Sequence, residues 1–243
     1  MSLLQVQGLE ARYGLLSAVR GINLAIADGE KVALVGANGA GKTTLLRTIA
    51  GVHPVAGGHI VFEGADITGV SAHRRCASGI ALVPEGRRLF PAMTVEENLL
   101  VALSARREGM WHLESVLEAF PMLKPKLKAL AGSLSGGQQQ ATAIGRALMT
   151  NPRVLLLDEV SLGLSPLAVH AVYESLGTLL KTKTAIVLVE QDLQRTLDVA
   201  DRIVCMLEGA IVAEGRADEM TREQVMGHYF GNRPDSTVRE ATA

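Results

Sequence analysis

Short apolar runs separated by turn residues fill the first third of the chain and predict β-strands. The runs cover residues 3–6, 22–26, 31–35, 59–62 and 80–83. Residues 28–30, Asp-Gly-Glu, form a turn signal between the second and third runs. A glycine-rich loop comes next, and residues 42–50 have a helical pattern that ends at Gly51. The start of the chain therefore predicts several strands that lead into a strand–loop–helix unit.

The pattern changes between residues 85 and 148, where helix signals dominate. Thr94-Val95-Glu96-Glu97 is a capping-box sequence and predicts a helix that runs towards Arg107. A second helical stretch covers residues 113–120. The basic segment 124–128 has a proline within it and is typical of a connecting loop with a solvated face. We interpret residues 85–148 as a mostly helical insertion.

Continuous apolar runs return at residues 154–157 and 185–189. Such runs are typical of strands that are buried on both faces of a parallel sheet. Residues 203–207 and 210–213 flank a Glu-Gly pair and predict a closing hairpin. We expect a single α/β domain. Its predicted parts are an α/β core with a β-subdomain (residues 1–84 and 149–231), a helical subdomain (residues 85–148) and a polar tail (residues 232–243).

Composition restricts the classes of function that remain open. The chain has 243 residues, of which 48% are hydrophobic and 20% charged, as expected for a globular domain. The net charge of −1 leaves no excess of Lys and Arg to neutralise a phosphate backbone, which argues against nucleic acid as the main partner. No apolar run approaches the ~20 residues that cross a bilayer. The first residues also lack the pattern of a secretory signal, so a function at a membrane would require docking to other chains.

Residues 36–43 read Gly-Ala-Asn-Gly-Ala-Gly-Lys-Thr and lie between a predicted strand and a predicted helix. In that context the pattern G-x-x-x-x-G-K-[ST] binds nucleotide phosphates. The glycines let backbone N–H groups turn towards phosphate oxygens, and the helix N-terminus adds positive potential. We expect Lys42 to reach the β- and γ-phosphates and the Thr43 hydroxyl to bind Mg²⁺. The predicted binding residues are Gly36, Asn38, Gly39, Ala40, Gly41, Lys42, Thr43 and Thr44.

The buried strand at residues 154–157 ends in two carboxylates, Asp158 and Glu159. An Asp at this end of a strand can hold Mg²⁺, and Glu159 can polarise an attacking water as a general base. An apolar strand that ends in Asp-Glu is often purely structural, but the P-loop upstream favours a catalytic role. ATP and Mg²⁺ are thus the predicted ligands. These features still leave kinases, GTPases, helicases and recombinases open.

The sequence Leu134-Ser135-Gly136-Gly137-Gln138 removes that ambiguity. Ser135 can cap a helix that continues to residue 148, and its hydroxyl and the first N–H groups form a second anion-binding site. One chain thus has two phosphate-binding ends but one nucleotide cradle. A two-fold dimer accounts for both, because each serine cap then completes the partner's site around ATP. The predicted contacts to this nucleotide are Ser135, Gly137 and Gln138.

With these motifs in this order, the chain resembles the ATP-binding cassette family along essentially its whole length. The resemblance implies an ATPase that powers a transporter. It implies a P-loop NTPase fold: a RecA-like α/β core with an N-terminal antiparallel β-subdomain and a helical insertion. It also implies that Tyr13 stacks on adenine and that residues 161–164 link the two sites of the dimer. The alternatives are an ordinary surface tyrosine and a plain turn.

Two positions differ from the pattern common in the family. The usual Gln that senses Mg²⁺ and the lytic water is Glu85, and the usual switch His is Gln191. A Gln can donate a hydrogen bond but cannot become a cation, and Glu85 adds a carboxylate near Asp158 and Glu159. Either these residues slow hydrolysis or they are adequate substitutes. The predicted catalytic residues are Glu159, Gln191 and Glu85, and the predicted Mg²⁺ ligands are Thr43, Glu85 and Asp158.

The stretches 83–90 (VPEGRRLF), 93–99 (MTVEENL) and 188–191 (LVEQ) resemble the second ATPase of branched-chain amino-acid importers. The resemblance implies three partners and no nucleic acid: a second ABC ATPase subunit, in a homo- or heterodimer, transmembrane permease subunits and, indirectly, a periplasmic binding protein. It implies a cytoplasmic location, on the inner face of the plasma membrane through the permease. In the family, the surface near residues 85–100 receives a coupling helix, so the candidates for that contact are Arg87, Arg88, Leu89 and Phe90.

Other functions remain as alternatives at this point. Within transport they are importers of urea or amides and exporters of lipid or polysaccharide. A non-transport ABC ATPase that acts on DNA or ribosomes usually has long coiled-coil arms or tandem cassettes, and this sequence has neither. A small-molecule kinase has no use for residues 134–138.

Overall fold

The computed structural model describes residues 2–105, 107–190 and 192–229. Its strands are β1 (Ser2–Tyr13), β2 (Leu16–Ala27), β3 (Lys31–Val35), β4 (Gly57–Phe62), β5 (Ala65–Asp66), β6 (Ile80–Val83), β7 (Val154–Asp158), β8 (Ala185–Val189), β9 (Arg202–Leu207) and β10 (Ala210–Arg216). Its α-helices are α1 (Lys42–Ile49), α2 (Ala72–Ser78), α3 (Val95–Leu100), α4 (Leu113–Ala119), α5 (Gly136–Leu148), α6 (Pro166–Leu180), α7 (Leu193–Val199) and α8 (Arg222–Tyr229). Within the described ranges, 3₁₀ segments cover Val101–Ala105, Pro121–Lys126 and Ala131–Ser133.

The strands form two sheets. The first is antiparallel in the order β2-β1-β4-β5, so the predicted N-terminal β-subdomain is confirmed. The second has the order β10-β9-β3-β8-β7-β6 and is parallel except for β10, which pairs antiparallel with β9. Every residue of β7 and β8 is buried, as their unbroken apolar runs predict.

Apolar clusters cover both faces of the parallel sheet: one cluster lies on the first face, and two share the other, the smaller of them at β3 and β9 with Val225. Because side chains alternate along a strand, Leu156 of β7 packs with the antiparallel sheet and α1, whereas Leu155 and Leu157 pack with α3 to α6. The central strands are therefore held from both sides. Because these strands are buried on both faces, the position and direction of each strand end are fixed.

The structure differs from the sequence predictions in its connections. The helix expected to run from Thr94 towards Arg107 is α-helical only to Leu100, because the Arg107 N–H donates to the Thr150 carbonyl and draws the chain towards α5. In the segment 124–128, which was expected as a loop, residues 124–126 complete a 3₁₀ helix that begins at Pro121, and residues 127–128 form a turn. Leu123, in the middle of this 3₁₀ helix, is fully buried, and its packing in the core stabilises the helical conformation.

Among the helices of the described chain, α2, α6, α7 and α8 have no counterpart in the patterns given above. The start of α6 carries a readable signal, since Ser165 caps the helix and Pro166 occupies its first turn. None of the helices within the described ranges combines the length and apolar character that crossing a bilayer requires.

Arg75 is an almost fully buried cation that joins α2 to α1 and to the turn after β5. Its guanidinium donates hydrogen bonds of 2.8 Å to the carbonyl oxygens of Thr48, Ile49, Thr68 and Val70. The first two of these carbonyls lie at the end of α1, where a helix lacks its own donors. Arg75 thus satisfies the end of the helix that begins at the phosphate loop.

Replacing Arg75 by Ala is expected to lower the free energy of unfolding by about 3 kcal/mol, because buried carbonyls lose their donors and a cavity opens. Urea denaturation followed by circular dichroism measures this change. The exposed neighbour Arg74 is a matched control, and Arg74→Ala should shift the value by less than about 0.5 kcal/mol. Equal midpoints for the two variants would contradict the role assigned to Arg75.

Candidate functional site

The carboxyl ends of β3, β8, β7 and β6 meet at one edge of the parallel sheet. Ligands of open α/β sheets bind at this edge. Here it borders a cleft of about 590 Å³. The cleft is lined by Tyr13, Leu16, Ala18, Asn38, Gly39, Ala40, Gly41, Lys42, Thr43, Thr44, Glu85, Glu159 and Leu162.

The loop between β3 and α1 can adopt its path only with glycine at two points. A Cβ atom on Gly36 would lie 2.1 Å from the Met206 carbonyl oxygen, and one on Gly41 would lie 2.3 Å from that of Ala18. Gly41 also has a φ of 98° at the N-cap of α1, where no side chain caps the helix. The first N–H groups of α1 are therefore available to an anion at the cleft.

Lys42 is a buried cation at the start of α1, only 4% exposed. Its ammonium donates to the carbonyl oxygens of Gly36 at 2.6 Å and Ala37 at 3.0 Å, so the side chain follows the loop that it supports. Burial lowers the pKa of Lys42, while the charges of Glu159 and Asp158 act in the opposite direction. The loop thus presents a preformed positive charge to a ligand.

Asp158 is the last residue of β7 and is 1% exposed. The Thr43 hydroxyl donates to its Oδ1 at 2.9 Å, whereas its Oδ2 has no hydrogen-bond partner within the described chain. Burial raises the pKa of Asp158; the Thr43 hydrogen bond and the charge of Arg47 oppose this shift, and the charges of Glu159 and Glu85 add to it.

The residues beside Asp158 fit a divalent cation that is bound together with phosphates. A hydroxyl and a carboxylate oxygen without a partner are hard oxygen ligands, which Mg²⁺ prefers. No group of three or more His, Cys, Asp or Glu that could cage a metal occurs among the described residues. Mg²⁺ often takes one or two protein ligands and completes its shell with substrate oxygens and water.

Glu159 and Glu85 contribute carboxylates to the wall of the same cleft. Glu159 has a φ of 48°, in the left-handed region, and its N–H donates to the Val189 carbonyl at 3.0 Å. Non-glycine residues in this conformation store strain and concentrate at functional sites. Glu85 follows β6 after Pro84 and is exposed. Asp158 lies behind the wall that these two residues form.

Tyr13 contributes a half-exposed aromatic ring to the wall of the cleft. Tyr13 ends β1, is 48% exposed and packs at 4.4 Å between ring centroids against His53. Leu16, its cross-strand partner in the β1–β2 hairpin, and Ala18 line the cleft with it. Sequence reasoning missed both of these residues. Their signal is the two-residue hairpin that pairs Leu16 with Tyr13, which local pattern alone did not single out.

The residues of the second predicted anion site lie elsewhere. Ser135, Gly137 and Gln138 begin α5 and are not among the residues that line the cleft in the described chain. The Ser135 Oγ accepts from the Gln138 N–H at 3.4 Å, and the Gln138 Oε1 accepts from the Ser135 N–H at 3.1 Å. The capping role predicted for Ser135 is thus present. Gln191, predicted as the switch residue, and the tail at residues 232–243 lie outside the described residues.

The segment after Glu85 is tied to α5. The Arg87 guanidinium donates to the Gln139 side chain at 2.9 Å, and that of Arg146 donates to the carbonyls of Arg87 and Arg88. Phe90 is 48% exposed, with the Arg146 guanidinium carbon 5.7 Å from its ring centroid. Leu89 is half-buried against the α3–α6 cluster. Arg88 and Phe90 are therefore the more accessible of the four candidates for a partner contact.

Two relatives match this chain along nearly all of its length. It is 39% identical to the high-affinity branched-chain amino acid transport ATP-binding protein BraG of Pseudomonas aeruginosa, over 94% of this chain and 100% of that protein. It is 32% identical to BraF, another branched-chain amino acid transport ATP-binding protein of that organism, over 94% and 98% of the two chains.

A solved structure repeats the fold. The ADP conformation of MJ1267, an ATP-binding cassette of an ABC transporter, superposes with a TM-score of 0.79 at 28% identity and covers 95% of this chain and 99% of that one. The family described as ABC transporter matches residues 19–161, which include the phosphate loop, Ser135, Asp158 and Glu159. This chain belongs to the ATP-binding subunits of the ABC transporter family.

Proposed function

We propose that this chain hydrolyses ATP in the cleft beside β3 and β7 to drive a transporter that imports branched-chain amino acids. The observation that carries the ATPase site is the meeting of Lys42, Thr43, Asp158 and Glu159 at one sheet edge. The cargo is supported by the two amino acid transport relatives rather than by any residue of the cleft.

The chain's own residues account for binding and hydrolysis. The N–H groups at the start of α1 and the Lys42 ammonium bind the phosphates, and Tyr13 stacks on the base. Glu159 accepts a proton from the attacking water as general base. Thr43, Asp158 and Glu85 would hold Mg²⁺, which when bound neutralises charge that develops on the phosphates. Lys42 stabilises that same charge from the loop.

A second ATPase subunit completes the site in this proposal. The Ser135 cap of α5 is not among the described residues that line the cleft of its own chain, so its anion-binding end is left for another nucleotide. A two-fold dimer places each capped helix over the partner's nucleotide and excludes water. Permease subunits then receive the closing motion through the exposed surface at Arg88 and Phe90, and a periplasmic binding protein delivers the cargo to them.

Replacing Glu159 by Gln is expected to lower the rate of ATP hydrolysis at this site by at least about 100-fold, because the amide cannot accept the proton of the attacking water. ATP binding should be retained. With ATP present, the variant should elute as a dimer on size exclusion together with its partner subunit. Ser135→Arg in the same background should restore monomers, whereas Ser133→Arg, on an exposed serine of the preceding 3₁₀ turn, should not. A dimer unaffected by the Ser135 change would contradict the shared site.

Reconstitution with the cognate permease in vesicles tests the cargo. Vesicles that contain the wild-type complex should accumulate labelled leucine or valine when ATP is supplied, and vesicles with the Glu159→Gln variant should not. Uptake of a different solute class with ATPase activity intact would overturn the cargo and leave the ATPase assignment standing.

Glu85→Gln and Gln191→His, each restoring the residue common in the family, are expected to raise the ATPase rate of the assembled complex. The first removes a negative charge next to Asp158 and the anionic nucleotide, and the second restores a group that can become a cation. Steady-state phosphate release at saturating ATP measures both. If neither variant raises the rate, these two residues are adequate substitutes and do not slow hydrolysis.

Replacing Asp158 by Asn is expected to stabilise the nucleotide-free chain, on the order of 1 kcal/mol at neutral pH. The sign follows from the raised pKa of Asp158, since a carboxyl whose pKa is higher in the folded state destabilises the fold once it is ionised. Thermal melts with and without Mg²⁺-ATP measure the effect. Wild type should gain more stability from Mg²⁺-ATP than the variant does, and the difference between the two apo proteins should vanish in acid.

A further inference from the structure

A buried carboxylate lies directly behind the loop that carries Glu159. Glu190 follows β8 and is 3% exposed. Its Oε2 accepts a hydrogen bond from the Ser161 hydroxyl at 2.6 Å, and its Oε1 accepts one from the Ser161 N–H at 3.1 Å. Burying a carboxylate costs several kcal/mol, so its presence here indicates a constraint beyond filling the core. Glu190 is not among the residues that line the cleft in the described chain.

The loop is thus attached at both flanks to consecutive residues at the end of β8. The Glu159 N–H donates to the Val189 carbonyl at 3.0 Å, and Ser161, two residues further on, is bound by Glu190. Between these attachments Glu159 has its φ of 48°. A non-glycine residue in this region costs ~1–2 kcal/mol and persists only where the surroundings impose it.

We propose that Glu190 is a positioning residue for ATP hydrolysis, which holds segment 159–161 so that the Glu159 carboxylate stays directed into the cleft. The inference rests on the proposed role of Glu159 as general base. Both oxygens of Glu190 accept from Ser161; the isosteric amide keeps one acceptor oxygen, and its nitrogen only donates, so the bond to the Ser161 hydroxyl would have to reverse its direction. Loosening the loop displaces Glu159, and a misplacement of about 1 Å in an active site can cost ~100-fold in rate.

The effect of Glu190 should therefore appear in turnover and not in nucleotide binding. Binding contacts come from the phosphate loop and Tyr13, which lie on β1, α1 and the loop before it. In the assembled transporter, Glu190→Gln is expected to lower kcat about 10- to 100-fold while KM for ATP changes less than about twofold. Ser161→Ala, which removes only the hydroxyl bond, should give a smaller loss of the same kind.

Double variants separate positioning from general stability. Glu190→Gln added to Ser161→Ala should be no worse than Glu190→Gln alone, because the hydroxyl bond that Ser161→Ala removes is one of the two that Glu190→Gln already alters. Added to Glu159→Gln, it should not reduce the residual rate further, because Glu190 acts through Glu159. Ser175→Ala is the matched control: Ser175 is a buried serine on α6 whose hydroxyl donates to the Ala171 carbonyl, and this change should leave kcat unaltered.

An unchanged kcat in Glu190→Gln would overturn the inference, as would a full further loss in the Glu159→Gln background. A parallel fall in kcat, ATP affinity and melting temperature would also overturn it, since that pattern marks a purely structural residue. A wild-type complex that hydrolyses ATP no faster than Glu159→Gln would overturn the proposed function itself, and this inference with it.

Discussion

Parallel pairing of β3, β8, β7 and β6 is the constraint on which the rest of the structure depends. Parallel strands that are buried on both faces end at one edge, so the groups that follow each strand must meet there. The phosphate loop follows β3, Glu190 follows β8, Asp158 ends β7 and Glu85 comes shortly after β6. Residues far apart in sequence thereby form one site. The apolar clusters packed on both faces hold these strand ends at fixed positions relative to one another. The side chains that follow the strands are therefore held at fixed positions as well.

Buried charged groups lie at this edge of the sheet, and their burial is energetically unfavourable when no ligand is bound. Lys42 is buried within the loop, and Asp158 is buried with one oxygen lacking a hydrogen-bond partner in the described chain. Burial lowers the pKa of the first and raises the pKa of the second, so in both groups it disfavours the charged form. A phosphate chain with Mg²⁺ would offset both costs, which links nucleotide binding to stability. The backbone of Glu159 is a further unfavourable feature at this edge, because its φ lies in the left-handed region and is held there by contacts with the end of β8.

The two helix ends that we propose to bind phosphate differ in how they are capped. Gly41 begins α1 without a side-chain cap, whereas Ser135 and Gln138 form a complete capping box on α5. The first end opens into the cleft, and the second lies away from it. In the proposed dimer the two ends have different roles. The uncapped end of α1 binds phosphate in its own chain. The capped end of α5, whose serine is exposed, contacts the nucleotide of a partner. ATP would then stabilise the dimer by mass action.

The sequence by itself determined the features that depend on neighbouring residues. The phosphate loop, the Ser135 cap, the buried strands β7 and β8 and the carboxylates that end β7 were all readable, because turns, caps and strand patterns act within a few residues. Only tertiary structure decided where α3 ends, that Leu16 joins Tyr13 at the cleft, and that Arg75 satisfies the end of α1. It also decided that Glu190 binds Ser161, a pair 29 residues apart. Such contacts arise from the packing of distant segments, and no local pattern specifies which distant carbonyl or hydroxyl a buried charge will meet.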